Sequence, residues 1–186
     1  MLTTTDAIVL SFQPYSDKAH LLHAYTRAGG RVNYMVYGLG KKNTGGKFSP
    51  LSIIQITTDG KSIRTAQLTY VPTTLTSDPY KRTITLFLSE VLYHVLRHPM
   101  TDEPMFNFIR QAVLTLDQTD EPQNFHLSFL MDFAAKLGFA METTPTLPSN
   151  RAERQQQLRA MCSYFEEHVE TWRAPRSLEI LTEVFD

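Results

Sequence analysis

Residues 51–68, LSIIQITTDGKSIRTAQL, contain the pattern that decides the fold of the first part of the chain. Apolar and polar side chains alternate on both sides of Asp59-Gly60, and a period of two residues is typical of strands with one buried face. Asp-Gly between two such segments indicates a tight hairpin, because both residues tolerate the backbone conformations that the turn requires. The stretch therefore predicts two antiparallel strands.

Three further segments with strand patterning precede this hairpin. Residues 7–12 (AIVLSF) are almost continuously apolar, residues 20–26 (HLLHAYT) alternate, and residues 31–37 (RVNYMVY) place Val32, Tyr34 and Val36 on one face. Five short strands joined without crossover helices must be antiparallel. A closed barrel removes the exposed sheet edges, so we expect a five-stranded OB-fold barrel.

The hydrophobic period changes to 3.6 residues after Pro79, which is typical of amphipathic helices. Helices are predicted to begin near residue 80, at Thr101 or Asp102, near Pro122 and at Asn150, with a short last helix in SLEILTEVF. Asn150 with Glu153 resembles a capping box, and Gly138 suits the position after a helix. The predicted class is α+β, with an OB-fold domain at 1–77 and a helical domain at 78–186.

The net charge of −1 conceals an uneven distribution. Residues 1–76 contain eight Lys or Arg and three Asp, a charge of +5, so residues 77–186 carry −6. A basic sheet domain joined to an acidic helical domain predicts a polyanionic partner for the sheet domain.

The composition also limits the function classes. No segment approaches the ~18 consecutive apolar residues of a membrane span, and the first residues lack the features of a signal peptide, so we expect a cytoplasmic protein. The single Cys162 excludes an internal disulfide and a cysteine-rich zinc site. We expect the Cys162 thiol to be buried. We also expect the protein to have no cofactor.

Residues 38–47, GLGKKNTGGK, resemble a phosphate-binding loop in composition but not in register. A nucleotide-triphosphate loop needs glycine five positions before its Gly-Lys pair and a hydroxyl residue after it, whereas Lys41 and Phe48 occupy these places. The dinucleotide pattern fails because Asn43 stands where the third glycine belongs. The stretch is therefore predicted to be a basic surface loop.

This loop is accompanied by other cations and by aromatic strand residues. Cations that follow a phosphate backbone, beside rings on which bases stack, are typical of surfaces that bind single strands. The predicted DNA-binding residues are Arg27, Arg31, Lys41, Lys42, Lys47, Arg64, Tyr34 and Tyr37, with Tyr25 nearby. Residues 29–58 contain no Asp or Glu, which favours an anionic ligand. The alternative is a solvated loop beside tyrosines that belong to the core.

Metal-binding and enzymatic interpretations have less support. Glu90, His94 and His98 would share one side of a helix, like half of a metal site, but no fourth ligand and no HExxH motif accompany them. Ser16 and His20, with the Asp between them, supply the residue types of a hydrolytic triad without a strained nucleophile turn or an oxyanion hole. The sequence therefore predicts neither catalytic residues nor a metal site.

Several segments, in their order and spacing, resemble one known family. They are PYSDKAHLLHAYTRAGGRVNYMVYGLGKK at 14–42, SPLSI at 49–53, TLFLSEVLYHVLR at 85–97, NFHLSFLMDFAAKLGF at 124–139 and RAERQQQLRAMCSYFEEHV at 151–169. Together they resemble the bacterial recombination mediator RecO, in the form found in the Bacteroides group. The resemblance runs along almost the whole chain.

The resemblance implies a non-enzymatic, nucleoid-associated DNA repair protein. It implies binding to single- and double-stranded DNA, annealing of complementary strands, and action with RecR and the single-strand-binding protein SSB to load the recombinase RecA. The acidic tail of SSB ends in hydrophobic residues and would need an apolar groove with a basic rim, to which Arg97, Arg110 or Lys136 could contribute.

The chain departs from this family in two ways. It lacks the four-cysteine zinc module of many members, and the stretch between Phe139 and Asn150 is short. The alternative from another functional class is a protein-interaction adaptor whose barrel binds a peptide.

Overall fold

The computed structural model describes residues 1–38 and 46–184, which form two compact units. One unit contains Met1–Pro72 with Leu96–Val113, and the other contains Thr73–Val95 with the residues from Leu114 onwards. Residues 96–113 therefore pack with the strands, which the change of hydrophobic period did not predict. The division into an OB-fold domain at 1–77 and a helical domain at 78–186 stays a prediction.

The first unit is built on a five-stranded antiparallel sheet, which confirms the predicted α+β class. Its strands are β1 (Thr3–Ser16), β2 (Ala19–Thr26), β3 (Gly30–Tyr37), β4 (Ile53–Thr58) and β5 (Ile63–Leu68), in the order β3-β2-β1-β4-β5. The predicted barrel does not close fully, because β3 and β5 are the edges of the sheet and, among the described residues, only one parallel bridge, between Met35 and Ser62, joins the two sides. This partly open barrel is the arrangement of an OB fold.

The predicted hairpin joins β4 and β5. These strands pair from Ile54 opposite Leu68 to Thr58 opposite Ile63, with Asp59-Gly60 in the turn. Gly60 has a φ of +95°, a conformation that a residue with a Cβ rarely adopts. Gly60, which indicated the hairpin in the sequence, thus also permits the backbone conformation of its turn.

Strand alternation gives the sheet an interior and an exterior face. The interior core contains Ala7, Val9, Leu22, Ala24, Tyr34, Val36, Phe48, Ile54 and Ile56. On β1, Ile8 and Leu10 have the opposite parity and are also buried, at 0% and 2% exposed. The sheet is therefore buried on both faces along this part of β1, as its continuously apolar sequence predicts.

Five α-helices and one 3₁₀ turn, Pro122–Asn124, lie in the described residues. The helices are α1 (Pro79–Val95), α2 (Glu103–Gln118), α3 (Phe125–Lys136), α4 (Arg151–His168) and α5 (Leu178–Val184). None of the described helices is long and apolar enough to cross a membrane.

Three predicted helix ends are confirmed. The Asp102 carboxylate accepts a hydrogen bond from the Met105 N–H at 2.8 Å, and the Asn150 side chain accepts one from the Glu153 N–H at 3.0 Å. Gly138 follows α3 with a φ of +92°. These side chains and this glycine satisfy the N–H and C=O groups that a helix leaves unpaired at its ends.

Residues 96–102, here called the strap, lie against the turn between β2 and β3. The Arg31 N–H donates to the His98 carbonyl at 3.3 Å, and the Thr101 hydroxyl donates to the Ala28 carbonyl at 2.6 Å. Gly30 has a φ of +63°, and a Cβ there would collide with the Met100 carbonyl. The strap thus fits the hairpin because residue 30 has no side chain.

In the second unit, the buried Asp117 carboxylate accepts several hydrogen bonds. Its oxygens accept the backbone N–H groups of Thr73, Thr74 and Leu75 at 2.7–3.2 Å and the hydroxyls of both threonines. The Lys81 ammonium, also buried, donates to the Thr74 hydroxyl at 2.7 Å and to the Asp117 carbonyl at 2.9 Å. These bonds fix the segment before α1 to the end of α2.

Candidate nucleic-acid interface

The exterior of β2 and β3 is the part of an OB fold that binds oligonucleotides, together with the loops that join β1 to β2 and β4 to β5. On β3 the exterior residues are Arg31, Asn33, Met35 and Tyr37, and their partners on β2 are Tyr25, His23, Leu21 and Ala19. We call these eight residues the β2–β3 face. At the end away from the strap, Leu21 and Met35 are half-buried, Ala19 is 3% exposed and Tyr37 is 61% exposed, so this end is open at the Tyr37 side chain.

Tyr34 does not belong to this face, and its predicted role in base stacking is wrong. It is 5% exposed and packs in the interior core between the strands. Burial raises the pKa of its hydroxyl. Tyr34 shares a face with Val32 and Val36, and this apolar grouping was the signal in the sequence that placed it inside.

Tyr25 lies on the β2–β3 face but is also closed to solvent. It is 3% exposed, and burial together with the nearby Asp102 carboxylate raises the pKa of its hydroxyl to about 12. Tyr37, in contrast, is 61% exposed. Of the strand tyrosines that the sequence singled out, Tyr37 therefore presents a ring on which a base can stack.

Arg27 is occupied by contacts within the first unit. Its guanidinium lies 2.7 Å from a Glu103 oxygen and 3.4 Å from an Asp6 oxygen, and it also donates to the Asn107 side chain. It covers the buried Phe106 ring at 4.6 Å. These contacts join the hairpin turn to the start of α2, so the charge of Arg27 is already compensated.

Arg31 is likewise engaged, in a polar cluster at the strap end of the β2–β3 face. Its guanidinium donates to the Leu96 carbonyl at 3.2 Å and lies 3.2 Å from Nδ1 of His23. The same His23 nitrogen lies 2.6 Å from the Asn33 side-chain oxygen. Burial lowers the pKa of His23; the hydrogen bond to Asn33 opposes this shift, and the Arg31 charge adds to it. Arg31 thus supports the strap and the neutral state of His23.

Arg64 forms an ion pair with Asp59 in the turn between β4 and β5, at 2.8 Å. The Asp59 carboxylate also accepts the N–H groups of Lys61 and Ser62 at 3.0 and 2.7 Å, and the Ser62 hydroxyl at 2.9 Å. These bonds hold the pKa of Asp59 well below its usual range, and the Ser62 N–H contributes most.

Lys61 was not among the predicted DNA-binding residues, although it lies beside the open end of the β2–β3 face. Its carbonyl accepts the Met35 N–H at 2.9 Å, two residues from Tyr37, and its side chain is exposed. Lys18, in the loop between β1 and β2, is exposed as well. The Asp-Gly hairpin signal and the OB prediction together could have identified both lysines, because they locate these two loops.

Lys47 is the one lysine of the predicted basic loop within the described residues, and it lies at the end of the interior core. Its ammonium donates to the Ala66 carbonyl at 3.4 Å and lies 5.8 Å from the Phe48 ring centroid. Phe48 stacks on Phe12 at 4.6 Å, and Phe12 stacks on the half-buried His20 at 4.8 Å. Lys41 and Lys42 lie outside the described residues, as does most of the predicted basic loop.

The residues considered for metal binding and hydrolysis have other contacts. The Glu90 carboxylate accepts the N–H and hydroxyl of Ser177 at 3.1 and 2.9 Å, at the start of α5. Over residues 1–38 and 46–184, no three His, Cys, Asp or Glu side chains are grouped to hold a metal ion. His20 of the suggested triad stacks on Phe12. Burial, with a smaller contribution from the Glu166 charge, raises the pKa of Cys162 to about 11.

Comparison with known protein families gives two matches that together extend over most of the chain. A family model described as "Recombination protein O N terminal" matches residues 1–71. A second, described as "Recombination protein O C terminal", matches residues 76–146.

Curated proteins named "DNA repair protein RecO" are similar to this chain. The Phocaeicola vulgatus protein is 35% identical over an alignment of 153 positions that covers 77% of this chain and 64% of the relative. The Porphyromonas gingivalis protein is 33% identical over an alignment of 150 positions that covers 74% of this chain and 61% of the relative. This chain thus spans less than two thirds of the length of both relatives.

A third relative of the same name, from Christiangramia forsetii, aligns along its whole length. It is 25% identical over 238 positions that include all of both proteins. Since this chain has 186 residues, at least 52 of those 238 positions have no counterpart in it.

Proposed function

Because this chain belongs to the RecO family of DNA repair proteins, we propose that it binds single- and double-stranded DNA without catalysing a reaction. The observation that carries the proposal is the open end of the β2–β3 face, where the exposed Tyr37 lies near the turn that bears Lys61. Rings and cations in this arrangement suit stacked bases and a phosphate backbone. The two loops beside the face are those that bind oligonucleotides in other OB folds.

The phosphate contacts are assigned to lysines rather than arginines. Arg27 and Arg64 are each paired with carboxylates, and Arg31 holds the strap, so binding DNA through them would first break these contacts. Lys18, Lys61 and Lys47, with Lys41 and Lys42 from the predicted loop, supply the charge instead. Lysine contacts with phosphate carry little sequence information, so binding is expected on all sequences alike.

Fluorescence anisotropy with a labelled oligothymidylate, measured at several salt concentrations, tests this proposal. If about four phosphates are engaged, log affinity should fall with log salt with a slope near −3, since each contact contributes ~0.7 on single strands. Changing Lys41, Lys42 and Lys47 together to Ala should weaken binding and make the slope shallower. Lys136→Ala is the control, because it removes a lysine from an exposed position on α3. An affinity independent of salt would contradict the proposal.

We further propose that the protein anneals complementary strands and acts with RecR to load RecA onto single strands coated with SSB. Annealing follows if the lysines neutralise two backbones enough for them to meet with little base recognition. The rate at which two complementary oligonucleotides anneal should then rise with the wild-type chain and less with the triple Lys variant. If the wild type does not retain DNA at moderate salt, the adaptor function, in which the barrel binds a peptide, becomes the better interpretation.

The partner contacts in this proposal have their own test. Titration with a peptide of the SSB tail, followed by amide hydrogen exchange, would locate the peptide site. Protection near Arg97, Arg110 or Lys136 would support the basic rim that the family resemblance implies. The same measurement with RecR would show which surface RecR covers.

A further inference from the structure

We propose that Asp59 is a positioning residue for DNA binding, because its carboxylate holds the turn that presents Lys61 to the strand. The inference rests on the proposed DNA-binding function. It is unexpected from charge alone, since an aspartate close to a DNA-binding surface should repel the phosphates.

The hydrogen bonds of Asp59 follow the backbone of the turn. One carboxylate oxygen accepts the Lys61 and Ser62 N–H groups, and the other accepts the Ser62 hydroxyl. The neighbouring Thr58 hydroxyl accepts the Gly60 N–H at 3.0 Å and donates to the Ser62 carbonyl at 2.9 Å. The turn between β4 and β5 is therefore fixed by side chains in addition to its flanking strands.

The fixed turn also touches the edge of β3 across the gap between β3 and β5. The Lys61 carbonyl accepts the Met35 N–H, and Met35 bridges to Ser62. Lys61 thereby has its backbone on the edge of β3 and an exposed side chain. An ammonium on a flexible stem contributes more to binding when its backbone is held in place, because less freedom is lost on binding.

The ion pair with Arg64 has a separate effect. It offsets part of the Asp59 charge, so the carboxylate can hold the turn with less repulsion of a nearby phosphate. The backbone acceptor and the negative charge of Asp59 should therefore have opposite effects on DNA affinity.

Two variants separate these effects, because Asp59→Asn and Asp59→Ala remove the same charge. Asn retains a side-chain oxygen for the Lys61 and Ser62 N–H groups, whereas Ala does not. We expect Asp59→Asn to bind oligothymidylate about twofold more tightly than the wild type, since a like charge is lost. We expect Asp59→Ala to bind about fivefold more weakly than Asp59→Asn, since the turn loses its acceptor.

A double-mutant cycle identifies the residue through which Asp59 acts. If it acts through Lys61, Asp59→Ala should cost little further affinity once Lys61→Ala is present. The salt slope of Asp59→Ala should become shallower by about 0.7, as in Lys61→Ala, while that of Asp59→Asn stays steep. Far-UV circular dichroism and thermal unfolding of each variant establish that the sheet is intact.

Equal affinities of the Asn and Ala variants would overturn the inference, as would additive effects of Asp59→Ala and Lys61→Ala. An unchanged affinity of Lys61→Ala would overturn it as well. In each of these cases the wild type still binds DNA with a steep salt dependence, so the proposed function stands. Failure of the wild type to bind DNA would instead remove the proposed function.

Discussion

Replacing Gly30 by Ala should destabilise the first unit far more than the same replacement at another glycine with positive φ. Gly30 has a φ of +63°, which costs a residue with a Cβ roughly 1 kcal/mol. Its Cβ would also collide with the Met100 carbonyl, since the Met100 C and N atoms would both lie at 2.9 Å. The strap backbone must move to relieve this contact.

The magnitude follows from the bonds that hold the strap. Displacing it weakens the bonds from the Arg31 N–H to His98 and from the Thr101 hydroxyl to Ala28, at about 1 kcal/mol each. The total loss for Gly30→Ala is then about 3 kcal/mol. For a chain of this size each kcal/mol lowers the midpoint of thermal unfolding by ~2–4 °C, so the expected decrease is roughly 6–12 °C.

Gly60→Ala is the matched control, because Gly60 has a φ of +95° and its Cβ would have nothing within 4 Å. It should show the conformational cost alone, about 1 kcal/mol. Urea unfolding followed by circular dichroism measures the free energy of unfolding of both variants and the wild type. Equal losses for Gly30→Ala and Gly60→Ala would refute the conclusion that the strap requires a glycine at residue 30.

Three further predictions concern other groups. Burial lowers the pKa of His126 to about 3, so between pH 6.5 and pH 3 the unfolded chain binds a proton that the folded chain does not. The free energy of unfolding should therefore decrease by up to about 1.4 kcal/mol per pH unit as the pH falls towards 3. Urea titrations at several pH values should show this decrease for the wild type, and His126→Gln should remove it. Asp117→Asn should lower the free energy of urea unfolding by about 3 kcal/mol, because an amide cannot accept all the hydrogen bonds that the buried carboxylate accepts. The control Asp120→Asn, at an exposed position, should change this free energy by less than about 0.5 kcal/mol. Tyr37→Ala should weaken oligothymidylate binding by about tenfold in anisotropy titrations, through the loss of one stacking ring, while Tyr34→Phe in the core should leave the affinity within about twofold of wild type.

Local features of the fold were predictable because their causes are local. Asp59-Gly60 identified the β4–β5 hairpin, and Asp102 and Asn150 identified two helix starts, since each of these side chains acts within a few residues of its position. The exterior position of Tyr37 also follows from alternation, once the apolar residues Val32 and Val36 of the same strand are placed inside.

The remaining features depend on residues that are distant in sequence. Arg27 has no carboxylate among its close neighbours in the sequence, and its strongest partner, Glu103, is 76 residues away. The incomplete closure between β3 and β5 depends on the spatial approach of Met35 and Ser62, which no hydrophobic period encodes. For the same reason the packing of the strap against the strands was not predicted. The sequence therefore identified the cations but not the partners that Arg27, Arg31 and Arg64 have within the fold.

The division of the chain between its two units has a consequence for how the protein is made. The ribosome releases the chain from its N-terminus, and a domain generally folds as a unit once all of it has emerged. The sheet ends at Leu68, but its unit also needs Leu96–Val113. By the time Val113 has left the exit tunnel, the whole of α1, which belongs to the other unit, has already emerged. Helix α1 must therefore wait for Leu114 and later residues before its own unit can fold. A nascent chain that stalls before residue 96 holds the five described strands without the segment that packs with them.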